Sequence, residues 1–293
     1  MLLRDLIDDA GALRTCWPSE PQVYRRDPAA LRALLTMAEV DALIDSECIP
    51  SRNVVLLRDG AVVDPREYTD GDMPRPGSIR AHLNQGQSIS LRLLHTMRPG
   101  LARLKGDAQR ETGCRTHINA YLTPGNCQGL RYHYDPYVTL IVQLHGRKTW
   151  HLHPPLVERP TEEFDNFIPR RWTAEERDYL AHTPPSDVVL EPGHVFWLPR
   201  GWVHSPETTG EEPSLHLTLA LKQRTRAWLV EHLAEAVVRH VRADFEGRDL
   251  VTPSDLFEGT EGLEWARRYA IGALLGIDAE ASARAAREKA RNT

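Results

Sequence analysis

Residues 137–155 read YVTLIVQLHGRKTWHLHPP, two apolar runs on either side of His145-Gly146, halted by Pro154-Pro155. The pattern predicts two strands folding back on each other about that Gly-containing turn. The neighbouring stretches share this texture. Upstream, THINAYLTP (116–124) alternates apolar and polar residues and stops at Pro124-Gly125. Downstream, VVLEPGHVFWLPRGWVHSPETT (188–209) and SLHLTLAL (214–221) give further short strands with Pro/Gly punctuation. Many short strands at close spacing predict a sandwich or barrel rather than alternating βαβ units, with the barrel core at about 114–222.

The flanks read differently. The first fifty residues are expected to be helix-rich. Asp27-Pro28 offers an N-cap followed by proline at the first helical position, and Leu31, Leu34, Leu35, Ala38, Ala42 and Leu43 follow at helical spacing. NVVLLRDGAVVD (53–64) predicts a hairpin about Asp59-Gly60, and YTDGDMPRPG (68–77) a loop. Ser88–Gly113 has helix-like patterning through Leu91, Leu94, Met97, Leu101 and Leu104. A polar insertion, 156–185, contains RRWTAEERDYL (170–180), expected to be a short loop helix, with a lid as the minority reading. From Thr225 the chain is expected to be helical, with Trp228, Leu233, Val237, Val241 and Phe245 on one face. A second helix is expected through Leu263–Leu275, then a frayed or surface helix to Thr293.

Composition bounds the function. The 293 residues are 41% hydrophobic with seven tryptophans, enough to fill a core, and a net charge of -5 speaks against non-specific nucleic-acid binding. No apolar run approaches the roughly 18–20 residues of a membrane span, and two aspartates interrupt the N-terminal apolar residues where a targeting segment would keep them apolar. The four cysteines, Cys16, Cys48, Cys114 and Cys127, form no CxxC and fit free thiols in a reducing cytoplasm. A soluble, cytoplasmic protein is expected.

Thirteen histidines make a His-x-Asp triplet expected about once by chance. The chain has one, His133-Tyr134-Asp135. At the start of a strand, side chains at i and i+2 share a face, so imidazole and carboxylate converge on one ion. His204, after LPRGWVH, adds a second imidazole from another strand. Two histidines and one carboxylate form a facial triad suited to non-heme iron(II), three positions staying open. A satisfied surface pair is the bland reading of His133 and Asp135 alone. Lys148, on the return strand of the 137–155 hairpin, faces the same way as Trp150 and Leu152. There it is costly unless an anion accompanies it, and a dicarboxylate chelating the metal at its other end would supply one. A lysine snorkelling to solvent is the alternative. His151-x-His153 reads as a strand-end pair, and His117, His194 and His216 as hydrogen-bonded strand residues.

INAYLTPGNCQGLRYHYD (118–135), LIVQLHGRKTW (140–150), EPGHVFWLPRGWVHSPETT (191–209) and SLHLTLAL together resemble the JmjC-type 2-oxoglutarate oxygenases, on their ribosomal-oxygenase-like branch. LRTCWPSEPQVYRRD (13–27), VVLLRDGAVVDPREY (54–68) and TRAWLVEHLAEAV (225–237) extend the resemblance over roughly residues 10–245. It implies a mainly β core with flanking helices: a double-stranded β-helix (jelly-roll or cupin) barrel in a 1–222 oxygenase domain, then a 223–293 helical region used by family members to dimerise. It implies iron on His133, Asp135 and His204, and 2-oxoglutarate anchored by Lys148, fifteen residues after His133. Asn119 and Tyr121 would also reach the cosubstrate, with Thr218 a weaker candidate. Dioxygen is the further cosubstrate. Two departures bear on substrate. Pro136-Tyr137-Val138-Thr139 stands where the branch usually carries a further Asp or His, and the chain is expected to end too soon for the full C-terminal winged-helix module that larger relatives carry.

The expected activity is therefore hydroxylation of an unactivated C–H on a protein or peptide side chain, with 2-oxoglutarate decarboxylated to succinate. The same chemistry on a peptide-derived natural product, N-demethylation, and a metal-binding cupin without oxygenase activity are the competing readings. Expected partners are a protein or peptide substrate and a second copy in a homodimer, with no direct nucleic-acid or membrane partner.

Overall fold

Antiparallel pairing dominates the computed structural model, which describes residues 1–8, 10–161, 172–251 and 260–292. The chain divides into two compact units, Met1–Gln223 and Arg224–Thr293.

In the first unit, short β1 (Gln22–Arg25) precedes α1 (Pro28–Arg32) and α2 (Met37–Asp45). Asp27 caps α1 by accepting from the Ala29 N–H with Pro28 at the first helical position, and Thr36 and Glu39 form a reciprocal capping box on α2. The Asp59-Gly60 hairpin joins β2 (Val54–Arg58) to β3 (Ala61–Val62), both turn residues having positive φ. The stretch expected to be a plain loop holds a minimal hairpin, β4 (Thr69–Asp70) with β5 (Met73–Pro74), before α3 (Ser78–Asn84).

Residues 88–113 depart from the helical expectation. Ser88–Leu91 is a fully buried strand, β6, followed by a 3-10 turn at Leu94–Thr96 and then α4 (Pro99–Thr112). Three successive elements bury Leu91, Leu94, Leu101 and Leu104 in one core, so their spacing mimics a single helix. The edge strand β1, four residues with mostly exposed side chains, carries no periodic signal and forms by pairing with β11.

The barrel follows: β7 (Arg115–Thr123), β8 (Val138–His145), β9 (Lys148–His153), α5 (Ala174–His182), β10 (Ser186–Leu190), β11 (His194–Leu198), β12 (Val203–Glu207) and β13 (Ser214–Lys222). Eight strands form one sheet in the order β1-β11-β8-β13-β7-β6-β2-β3, and β10-β9-β12 form the second. This is a double-stranded β-helix. β7 alternates: Ile118, Ala120 and Leu122 enter the large core, while His117, Asn119, Tyr121 and Thr123 face the barrel interior. A second buried cluster is made by Ile141, Trp150, Leu152, Leu190, Phe196 and Leu198. Within the insertion expected at 156–185, Thr173 and Glu176 box the N-terminus of α5. Residues 162–171 lie outside the described residues, and with them Arg170 and Arg171 of the segment for which a lid is the minority reading.

In the second unit, α6 (Arg226–Ala243) packs with α7 (Glu261–Leu275) and α8 (Ala279–Asn292). The terminal segment is a regular helix rather than a frayed one: Ala286 and Ala290 are buried, and Lys289 pairs with Glu235 on α6 at 2.5 Å. Phe245 does not join the α6 face; it lies beyond the helix and is 77% exposed. No helix among the described residues is long and apolar enough to cross a membrane.

The turn between β8 and β9 requires glycine twice over. Gly146 has φ +63, and a Cβ there would sit 2.1 Å from the Pro213 carbonyl oxygen. Gly113, which caps α4 at φ +70, has nothing within 4 Å. Gly146→Ala should therefore cost about 3 kcal/mol or more, against about 1 kcal/mol for Gly113→Ala, which pays only for its backbone conformation. Equal losses in denaturant titrations of the two variants would contradict the close approach at Gly146.

Candidate active site

Register along three strands builds the pocket in layers. Tyr121 lies opposite His216, Asn119 opposite Thr218, His117 opposite Ala220 and Arg115 opposite Lys222; Ile141 and Thr139 flank Thr218 and Ala220 from β8. With about 3.4 Å per residue, Thr123 and His117 stand roughly 20 Å apart along β7. Between the two sheets lies a cavity of about 200 Å³. The buried pair Thr123 and Lys148 lines one end, and Arg92, His117, Tyr137 and Lys222 line the other.

His133, Asp135 and His204 meet in the wall of this cavity, each offering a ligand atom within 4.8 Å of the others, all three side chains buried. No other group among the described residues has that geometry. His133 and Asp135 are not on a strand, as their spacing suggested. They occupy the irregular segment before β8, and His133 joins β12 through one isolated bridge to His204, its N–H donating to the His204 carbonyl at 3.1 Å and its carbonyl accepting from the His204 N–H at 2.8 Å. The Gly201 N–H donates to the Asp135 carbonyl at 2.8 Å, tying the segment to the turn before β12. These backbone bonds bring the three residues together in place of a shared strand face.

The imidazoles are also oriented. His133 Nδ1 lies 2.8 Å from the Arg131 carbonyl and His204 Nδ1 2.9 Å from the Trp202 carbonyl. A carbonyl only accepts, so each Nδ1 carries the proton and each Nε2 keeps a lone pair. Burial lowers the His133 pKa to about 4, and burial together with His133 holds His204 well below its ordinary value. Both rings are thus neutral at physiological pH, the form that binds metal. Two neutral imidazoles and a carboxylate from Asp135, whose Oδ2 is 4.0 Å from His204 Nε2, suit a six-coordinate iron(II) with open positions.

Lys148 is 1% exposed, and its ammonium donates to Thr123 Oγ1 at 2.6 Å. Burial lowers its pKa to about 7, so holding the charge there without an anion costs about 5 kcal/mol. It does not snorkel to solvent. Thr123 was not singled out from sequence, although the alternation that places Asn119 and Tyr121 in the pocket places it there as well. Tyr121 lines the cavity with its hydroxyl bonded by Ser90 and Asn119, and its pKa is raised, foremost by burial. Asn119 Oδ1 accepts from the Leu93 N–H at 2.9 Å, so this residue braces the wall while lining the cavity, as Thr218 does from β13.

The remaining histidines separate. His151 bridges three strands, with Nδ1 2.6 Å from Asp187 and Nε2 3.1 Å from Glu207. His153 is buried against Tyr132 and Tyr179. His194 Nδ1 accepts from the Glu191 N–H. His117 and His216 are more than strand residues, since both line the cavity. His216 stacks on Tyr121 with ring centroids 5.0 Å apart, and among the described residues its Nδ1 has no hydrogen-bond partner.

Residues 94–229 match the JmjC domain family. A relative from Aedes aegypti, named bifunctional lysine-specific demethylase and histidyl-hydroxylase NO66, is 30% identical over 71% of this chain and 32% of its own length. Ribosomal oxygenase 2 of Rattus norvegicus is 29% identical over 71% of this chain and 43% of its own. The chain thus spans well under half of these relatives. Crystal structures of E. coli YcfD share the fold. One superposes with a TM-score of 0.59 at 15% identity, covering 93% of this chain and 69% of that one. Another, described as a ribosomal oxygenase in complex with cobalt and 2-oxoglutarate, gives 0.53 at 14% identity, covering 91% and 66%.

Proposed function

The chain belongs to the JmjC-domain proteins, on their ribosomal-oxygenase-like branch, and we propose that it is an iron(II)- and 2-oxoglutarate-dependent hydroxylase of a protein side chain. One observation carries this reading: a buried His–Asp–His set and a buried lysine with no carboxylate partner among the described residues share one cavity. When bound, the iron supplies activation of dioxygen, coupled to conversion of 2-oxoglutarate to succinate, for hydroxylation of an unactivated C–H. His133, Asp135 and His204 would hold it. Lys148 and Thr123 fix the far carboxylate, so the 2-oxo acid end is directed toward the triad. The apolar walls from Ile141 and Trp150 exclude water between the two ends. The opposite end of the cavity, lined by Arg92, His117, Tyr137 and Lys222, is where a substrate side chain would enter.

The second unit leaves Leu229, Val230, Leu263, Ile271 and Leu275 exposed, and we assign this apolar surface to a homodimer. Free cysteines accord with a cytoplasmic setting, and the net charge of -5 with a protein rather than nucleic-acid substrate.

In anaerobic solution with iron(II), 2-oxoglutarate should produce the weak visible charge-transfer band of a chelated 2-oxo acid. Asp135→Ala should abolish metal binding and the band together. Lys148→Ala should retain the metal but require roughly 100-fold more 2-oxoglutarate, the scale of a lost buried ion pair. A metal-loaded protein that shows no band at any concentration would reduce the site to a metal-binding cupin.

Cosubstrate binding should also take up a proton. Free Lys148, with its pKa lowered to about 7, is mostly neutral at pH 8, and the bound carboxylate restores its charge. Uptake should approach one proton per 2-oxoglutarate at pH 8 and fall to about a tenth of one at pH 6, with affinity weakening as pH rises above 7. Calorimetry in two buffers of different ionisation enthalpy reads this directly, and pH-independent uptake would place the charge elsewhere. Light scattering at micromolar concentration should return twice the 33.2 kDa chain mass, and a monomer would refute the dimer.

A further inference from the structure

His216 is buried to 2% exposure on β13, yet its Nδ1 has no hydrogen-bond partner among the described residues. Leaving such a group unsatisfied costs about 1–3 kcal/mol. Packing accounts for the ring but not for its nitrogen. Tyr121 stacks on one face at 5.0 Å with an 8° interplanar angle, and Trp150 meets it edge-on at 5.5 Å, so the imidazole plane is fixed. A phenyl ring would satisfy both contacts equally well.

Its position in the layers supplies the missing reason. His216 pairs with Tyr121, two residues from Thr123, the hydroxyl that holds Lys148, and it lies close enough for the lysine's charge to act on it. It lines the same cavity as Lys148 and Thr123. A carboxylate has about four lone-pair positions, and these two side chains fill only part of them. A neutral imidazole brings one more N–H without adding charge.

We propose that His216 is a specificity-determining residue for the cosubstrate: a ring N–H donates to the far carboxylate held by Lys148 and Thr123, selecting a dicarboxylic over a monocarboxylic 2-oxo acid. This rests on the 2-oxoglutarate reading above. The lysine supplies the charge and the histidine supplies direction, because its ring cannot rotate away between Tyr121 and Trp150. Discrimination then comes from leaving both donors unpaired when the ligand lacks the second carboxylate.

The test uses the full chain loaded with manganese(II) and binding alone, by calorimetry, with 2-oxoglutarate and with 2-oxopentanoate, which has the same carbon chain without the far carboxylate. The wild type should bind 2-oxoglutarate more tightly. His216→Phe, which keeps the stack, should weaken 2-oxoglutarate about tenfold and leave 2-oxopentanoate unchanged, so the preference narrows by that factor. His216→Leu should show the same selective loss and serves if the phenylalanine variant does not fold. Equal weakening of both ligands would make His216 a packing residue and overturn the proposal, as would unchanged 2-oxoglutarate affinity. Wild-type protein that holds manganese but binds neither acid would instead overturn the cosubstrate reading itself, and this inference with it.

Discussion

Nine successive residue pairs between β13 and β7, from Ser214 opposite Thr123 to Lys222 opposite Arg115, fix what the barrel interior contains. Side chains alternate across a sheet, so a slip of one residue would exchange His216, Thr218 and Ala220 for Leu215, Leu217 and Leu219. The three leucines are wholly buried in the large core, and their removal to the cavity would strip that core while filling the pocket. Hydrophobic burial on one face of β13 thereby enforces polar chemistry on the other. The site is positioned by residues that never touch it.

The three residues that could hold a metal depend on this frame less directly. His204 belongs to the second sheet, and His133 and Asp135 to an irregular segment, joined by paired backbone bonds between His133 and His204 and by Gly201 bonding to Asp135. Irregular backbone suits this role. A continuous strand would commit every second side chain to one face, whereas the segment places His133 and Asp135 against His204 and lets Tyr134 bury itself at 1% exposure. The carbonyls of Arg131 and Trp202 then set the tautomers, each acceptor lying two residues before the histidine it orients.

Much of this was legible in sequence because it follows from alternation. Period-two patterning over 116–124 and 214–221 placed Asn119, Tyr121 and Thr218 on one interior face, and the turn at His145-Gly146 returned Lys148 toward it. Features set by tertiary context were not legible. Ser88–Leu91 forms a strand because β2 and β7 pair with it on either side, although its leucine also fits a helical spacing with those that follow. Thr123 and His216 looked ordinary, since a threonine at a strand end and a histidine in a strand usually satisfy themselves locally. Only a hydroxyl 2.6 Å from a buried ammonium, and a ring nitrogen with no partner among the described residues, distinguish them.

Burial lowers the pKa of His133, His204, His216 and Lys148 alike, with opposite consequences for function. It drives His133, His204 and His216 neutral, which costs little near pH 7 because neutrality lies within half a unit or so of their ordinary state and is the form that binds metal or donates one hydrogen bond. The same desolvation moves Lys148 from 10.5 to about 7, far from its ordinary state. In the proposed reading the neutral imidazoles favour a metal, while the desolvated lysine favours an anion. A dicarboxylate bridges the two only if its far end reaches Thr123 and Lys148 while its other end reaches the triad. A shorter acid would leave one of the two partners unsatisfied. In the proposed reading, selectivity for ligand length follows from placing a candidate metal site and a buried lysine with no carboxylate partner among the described residues in one cavity.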